Sequence, residues 1–129
     1  MRAIVVVALA ALAMPAADAA GQSPGLRRQV LERSVSAGGE RDVLLVRVEI
    51  APGAAAGRHS HPGIETGYVV EGEAVMEIDG EAPRKLGPGD TYLIAAGRIH
   101  DARAIGTRPV KVLATFVVER GKPLAIAAP

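Results

Sequence analysis

Glycine and proline punctuate this chain too densely for a long helix to persist, and that constrains its fold more than any other feature. The 15 glycines and 9 prolines separate short runs rich in Val, Ile, Leu and Thr, and no segment carries a helical apolar period through them. The pattern predicts an all-β domain. Strands are expected at about Gln29–Ser36, Asp42–Ile50, Ile64–Val70, Glu73–Ile78, Arg84–Leu86, Thr91–Ile94, His100–Ala104 and Val110–Glu119. The spacers Ala51-Pro52-Gly53, Glu71-Gly72, Asp79-Gly80 and Gly87-Pro88-Gly89-Asp90 carry turn residues, and Asp79-Gly80 is the clearest hairpin signal. Short strands at regular spacing suggest a double-sheet jelly roll or small barrel whose mouth can hold a ligand.

At 129 residues the chain is long enough for one hydrophobic core and too short for two. Its first stretch reads as something other than domain. Met1-Arg2 is a positive start, Ala3 to Met14 is an unbroken apolar run, and Ala17-Asp18-Ala19 supplies a small-residue cleavage site, which is the layout of a secretory signal peptide. The run is short for a membrane span, which needs about 20 residues. The expected organisation is therefore a signal peptide over 1–19, a lead-in and first strand over 20–40, the barrel over 41–120 and a tail over 121–129. Export to the periplasm or beyond follows as an expectation, with no membrane attachment once the leader is removed. There is no cysteine, so neither a disulfide framework nor a thiolate metal site is available. A net charge of +1 gives no electrostatic case for nucleic acid or an anionic membrane as partner.

Two expected strands are more apolar than a half-exposed sheet requires. Val43-Leu44-Leu45-Val46 does not alternate, and the segment from Val112 to Val118 is nearly the same. Both faces of each are expected to be covered. A second copy of the chain in a homodimer is one candidate cover; the chain's own tail, through Pro123-Leu124-Ala125-Ile126, is the other.

The chemistry-bearing residues are few and fall at metal-ligand spacing. His59, His61 and His100 are the only histidines, and Glu65 follows His61 by four residues. Strand alternation puts His59 and His61 on one face, the Pro62-Gly63 break lets the chain bend before Glu65, and His100 opens a different strand. Three imidazoles and a carboxylate form a mixed N/O set suited to a divalent first-row metal, and leave two octahedral positions open. Mn, Fe, Co, Ni, Cu and Zn all fit such ligands.

The segment Gly53-x5-His59-x-His61-x3-Glu65-x6-Gly72 resembles the first motif of the cupin superfamily at every position. The second motif, G-x5-P-x-G-x2-H-x3-N, is matched at Gly89, Gly97 and His100, whereas Ala95 stands in place of the proline and Ala104 in place of the asparagine. The resemblance runs from about Val43 to Glu119. It implies a jelly-roll barrel of six or eight strands, often dimeric, with a metal near one end. Among metals it favours Mn or Fe, with Ni, Zn and Cu also found.

Other polar residues in the motif region are Arg58, Tyr68, Tyr92, Arg98, Asp101 and Arg103. If Glu65 faces inward, Tyr68 points away; if His100 does, Ala102 and Ala104 share its face and Asp101 and Arg103 do not. The expected pocket is small-walled and apolar, with Arg58 and Arg98 as candidates to meet an anionic substrate. Every histidine is claimed by the metal set, which excludes a Ser/His/Asp triad. The sequence thus points to an exported metal-binding cupin. The leading reading is a metal-dependent enzyme on a small organic molecule, as an oxygenase or as an isomerase or lyase. The alternative is a non-catalytic module that binds a metal or small ligand, or acts as a sensor.

Overall fold

Residues 23–129 are described in a computed structural model of the chain; the leader expected over 1–19 lies outside them. The described residues form ten strands and no helix, and hence no helix long and apolar enough to cross a membrane. The strands are β1 (Leu26–Val35), β2 (Arg41–Ile50), β3 (His59–Ser60), β4 (Gly63–Glu71), β5 (Glu73–Ile78), β6 (Arg84–Leu86), β7 (Thr91–Ile94), β8 (His100–Ile105), β9 (Val110–Glu119) and β10 (Ile126–Ala127). They pair antiparallel in two five-stranded sheets, ordered β1-β2-β9-β4-β7 and β10-β3-β8-β5-β6. The all-β jelly-roll expectation is met. The two strands absent from the sequence reading, β3 and β10, are two residues each, too short to carry a period-2 signal. The first strand also starts three residues earlier than expected, at Leu26.

Alternation along each strand builds the core. In β2, Leu44, Val46, Val48 and Ile50 are buried while Arg41 and Arg47 are exposed, and β9 buries Phe116, Ala114, Val112 and Val110 opposite them. The second sheet answers with Ala74, Met76, Ile78 and Ala104. Phe116 is fully buried at the centre, where truncation to Ala would cost about 3–5 kcal/mol. The Asp79-Gly80 turn joins β5 to β6 as expected, closed by the Glu81 amide donating to the Ile78 carbonyl at 2.9 Å.

Of the outward side chains of the two apolar strands, Val43, Leu45 and Val117 are half-buried and Leu113 is exposed within the single chain. The outer face of the first sheet carries Ile64, Tyr68, Leu93 and Leu113, all exposed. The C-terminal tail does not cover it: β10 joins the second sheet beside β3.

Candidate metal centre

Four side chains converge where the chain passes from one sheet to the other. His59 lies in β3, and its cross-strand partner in β8 is His100. His61 occupies the short link between β3 and β4. Glu65 faces inward from β4, so the cluster is fed by both sheets. All four are buried. Gly63 lets the link pass tightly: a Cβ there would lie 2.0 Å from the Val117 carbonyl oxygen of β9.

Each imidazole is held by a backbone carbonyl. Nδ1 of His59 lies 2.6 Å from Gly57 O, Nδ1 of His61 lies 2.6 Å from Leu124 O, and Nδ1 of His100 lies 2.9 Å from Arg98 O. A carbonyl oxygen only accepts, so in the neutral rings each Nδ1 carries the proton and each Nε2 a lone pair. This is the second-sphere arrangement that orients metal-binding imidazoles. The tail contributes here, because Leu124 sits just before β10.

The Nε2 atoms then meet an acceptor. His61 Nε2 is 3.0 Å and His100 Nε2 3.3 Å from Glu65 Oε2. With the protons on Nδ1 these approaches are not hydrogen bonds, and His61 Nε2 is a buried polar atom with no hydrogen-bond partner. Lone pairs crowded together out of water repel unless a proton or cation sits among them. One ligand atom from each of the three histidines lies within 4.8 Å of the others, so the set can hold a metal ion. The donor chemistry suits a first-row divalent ion.

Electrostatics fits that reading. Burial lowers the His59 pKa from 6.5 to about 4, assisted by the neighbouring His100, His61 and Arg28 and opposed by the Gly57 carbonyl; the ring stays neutral and ready to ligate. Burial pushes the Glu65 carboxyl up, but His100 and His61, which pair with it whenever either carries a proton, outweigh this and hold it below the usual carboxylate range. Tyr92 donates from its hydroxyl to Glu65 Oε1 at 2.8 Å. Burial and the Glu65 charge raise its own pKa well above 10.

The remaining expectations resolve residue by residue. Tyr68 points out of the barrel, and Ala104 is buried on the face of His100. Asp101 lies off that face and accepts from the Gly57 amide at 2.9 Å, bracing the loop that aims His59. Arg58 and Arg98, nominated for an anionic substrate, are tied elsewhere. Arg58 forms a two-pronged pair with Asp79 at 2.8 and 2.9 Å and donates to the Pro129 carbonyl, while Arg98 binds the Asp79 carbonyl and Glu81. The charged residue that does reach the cluster is Arg28 of β1, with Nη2 3.2 Å from His59 Nε2. Its sequence signal was available: Leu26 and Val30 flank it two residues away on either side, marking an inward face.

Known proteins share this architecture. The Cupin domain model matches residues 46–116, more than half the chain, and the protein belongs to the cupin family. It is similar to the dimethylsulfoniopropionate lyase DddQ of Ruegeria pomeroyi, 40% identical over 35% of this chain and 22% of that one. The crystal structure of the enzyme from strain DSS-3 superposes with a TM-score of 0.66 at 24% identity, covering 80% of this chain and 51% of that one. A germin-like protein, subfamily T member 3, of Arabidopsis thaliana is 32% identical over 67% of this chain and 40% of its own length. A recombinant oxalate oxidase in complex with glycolate shares the fold, with a TM-score of 0.64 and 23% identity over 80% of this chain and 55% of that one. The chain spans well under half the length of both curated relatives.

Proposed function

We propose that this protein is a metal-dependent cupin enzyme acting on a small organic molecule, with His59, His61, Glu65 and His100 as the metal ligands. The observation that carries the reading is the convergence of three Nε2 lone pairs and one carboxylate in a buried site. A bound divalent ion supplies Lewis-acid polarisation of a substrate oxygen, or a water of lowered pKa, at its open positions. The chain's own residues do the rest. The Gly57, Leu124 and Arg98 carbonyls fix the imidazole tautomers, Tyr92 orients the carboxylate, and the two sheets exclude bulk water. Mn or Fe is the favoured ion, with Ni, Zn and Cu also compatible with the ligand set. The lyase and oxidase activities for which DddQ and the oxalate oxidase are named support a lyase- or oxygenase-type reaction here. The small, largely apolar walls around Ala102 and Ala104 favour one second reading, a non-catalytic binding or sensor module.

Elemental analysis of the full chain beside the His59→Ala/His61→Ala double variant tests the centre. About one equivalent of Fe or Mn, absent from the variant, is expected; equal metal in both proteins removes the proposed ligands. Turnover of small organic acids by the loaded protein then separates the enzyme from the binding module.

Export to the periplasm or outside rests on residues 1–19 alone, and N-terminal sequencing of the mature protein tests it: a start near Ala20 in a periplasmic fraction is expected. The assembly is a homodimer through the outer face of the first sheet. Register supports one continuous patch there, since Tyr68 faces Leu113, Ile64 faces Val117 and Thr66 faces Leu93 across neighbouring strands. A patch of this kind on a soluble surface marks an interaction site.

A further inference from the structure

The three imidazoles are braced by unequal means. His59 and His100 bond through Nδ1 to carbonyls two residues behind them, Gly57 O and Arg98 O, so each carries its brace in its own loop. His61 depends instead on Leu124 O, 63 positions away in the tail. The tail leaves β9 through a turn at Gly121, whose φ of 79° is left-handed, and returns along β3. Little fastens it there. Ile126 and Ala127 pair with Ser60 and His59, the Ala128 amide donates to the Arg58 carbonyl at 3.0 Å, and Leu124 packs on the core. Arg58 closes the run: its Nε donates to the Pro129 carbonyl at 2.7 Å while its two terminal nitrogens hold Asp79. A two-residue edge strand with a half-exposed clasp belongs to the part of a fold that opens locally at least cost.

His61 meets two acceptors with one proton. Its Nδ1 lies 2.6 Å from Leu124 O and its Nε2 3.0 Å from Glu65 Oε2, and a neutral ring can donate to only one of them. With the tail in place the shorter contact decides, because a nitrogen and an oxygen lone pair do not tolerate so close an approach without a proton between them. The Nε2 lone pair is then free for a metal. With the tail away, water replaces the carbonyl at Nδ1 and the carboxylate becomes the stronger acceptor, since hydrogen bonds to an ionised partner are roughly twice as strong as neutral ones. The proton then sits on Nε2: solvent takes one from Nδ1 and returns one to Nε2, and the charge of the site is unchanged. That one hydrogen bond withdraws His61 and Glu65 from the metal together.

We propose that residues 121–129 form a detachable strap that sets the tautomer of His61, with Arg58 as the positioning residue that fastens it. The inference rests on the metal centre proposed above and adds a control of it: docked strap and bound metal favour each other, by linkage through the same factor.

The test uses the full chain. Arg58→Ala and Ala128→Pro loosen the strap at separate points, and Arg103→Ala removes an exposed arginine that pairs with Glu77 instead. In metal-free protein the Cδ2 chemical shift of each of the three histidines reports its tautomer. His61 is expected to change from the Nδ1–H to the Nε2–H form in both strap variants and not in Arg103→Ala, while His59 and His100 keep Nδ1–H. Hydrogen exchange should quicken at the tail amides and stay slow in β2 and β9. Co(II) affinity, read by chelator competition, should fall about 10–100-fold in the strap variants, the usual loss for an outer-sphere partner, and saturating cobalt should slow exchange in the wild-type tail. A His61 tautomer unmoved in variants whose tail amides exchange fast overturns the inference. Tail amides that stay slow in both variants overturn it too, as does exchange that quickens throughout β2 and β9 with them, because the tail would then be inseparable from the core. A changed tautomer with unchanged cobalt affinity breaks the link to the metal. Wild type that takes up no cobalt removes the metal centre, whereas the tautomer, read without metal, still decides the strap.

Discussion

Tyr92 lies across Gly67 to reach Glu65. The two strands that carry them, β7 and β4, place Tyr92 directly opposite Gly67, and a Cβ on Gly67 would lie 2.3 Å from the tyrosine ring. Only glycine leaves room for the ring to lie there, and only from there does the hydroxyl donate to Glu65 Oε1 at 2.8 Å. That bond turns the other carboxylate oxygen, Oε2, toward His61 and His100. Tyr92→Phe keeps the ring and removes the donor. Metal affinity is expected to fall about 10–100-fold, as for other outer-sphere partners, with a stability loss of about 1.5–3 kcal/mol in the metal-free protein, the worth of a hydrogen bond to a charged group. Chelator competition and thermal melting read the two effects separately; an unchanged affinity would show that Glu65 needs no such brace, or is no ligand.

His100→Ala separates metal-linked stability from intrinsic stability. A metal that binds the folded chain raises its melting temperature by mass action, so Mn(II) or Zn(II) should raise the wild-type value and leave the variant nearly unmoved. The metal-free proteins should behave otherwise. Removing one imidazole relieves an acceptor facing Glu65 at 3.3 Å, which offsets part of the cavity cost. If both proteins respond alike to metal, His100 is not a ligand.

Stability without metal should depend on pH through His59. Its folded-state pKa of about 4 lies below the ordinary 6.5, so the folded site accepts the neutral ring and resists the proton. The unfolded chain takes up that proton first as pH falls below 6.5, and stability drains from the fold down to about pH 4. The full difference is about 3 kcal/mol. Below about 4.5 Glu65 adds to the loss, since its carboxyl is held below the usual range in the fold. Urea denaturation in chelator from pH 7.5 to 4 measures the slope, and His59→Gln should flatten the upper part of it. A wild-type profile already flat between 6.5 and 4.5 would mean that His59 titrates as an exposed histidine.

The parts of the molecule that the sequence made legible are those with a long or repeated signal. β2 and β9 were readable as apolar runs between turn residues, β5 and β7 as short runs between turn residues, and the cluster of His59, His61, Glu65 and His100 from residue type and spacing together. β3 and β10 were not, because a two-residue strand exists only through its partners; Ile126 pairs with Ser60, 66 positions away. For the same reason the tail's place beside β3, which rules it out as the cover over the first sheet, and the Leu124 carbonyl that orients His61 were invisible. Tyr92 was noticed but given no role, although the parity that turned Tyr68 outward also turns Tyr92 in, because it faces Gly67 in register. Arg58 and Arg98 show the converse error. Proximity to a ligand in sequence says nothing about which carboxylate a flexible cation finds, and Asp79 and Glu81 on the β5–β6 turn reach them first.

The outer face of the first sheet yields the last prediction. Leu93 is 64% exposed at the edge of the patch formed with Tyr68, Leu113 and Ile64, and its side chain touches the site through no hydrogen bond or charge. In a monomer, Leu93→Asp would change stability by no more than about 0.5 kcal/mol, as surface substitutions do. In a twofold dimer each patch meets its own copy, so the substitution buries two unpaired carboxylates in one interface, which is far more costly than the lost apolar contact. The variant should run as a monomer in sedimentation velocity where wild type runs as a dimer, with its metal content unchanged because β7 holds Tyr92 on the opposite face. A wild type that is monomeric at high concentration, or a variant that remains dimeric, would place the self-association surface elsewhere or remove it.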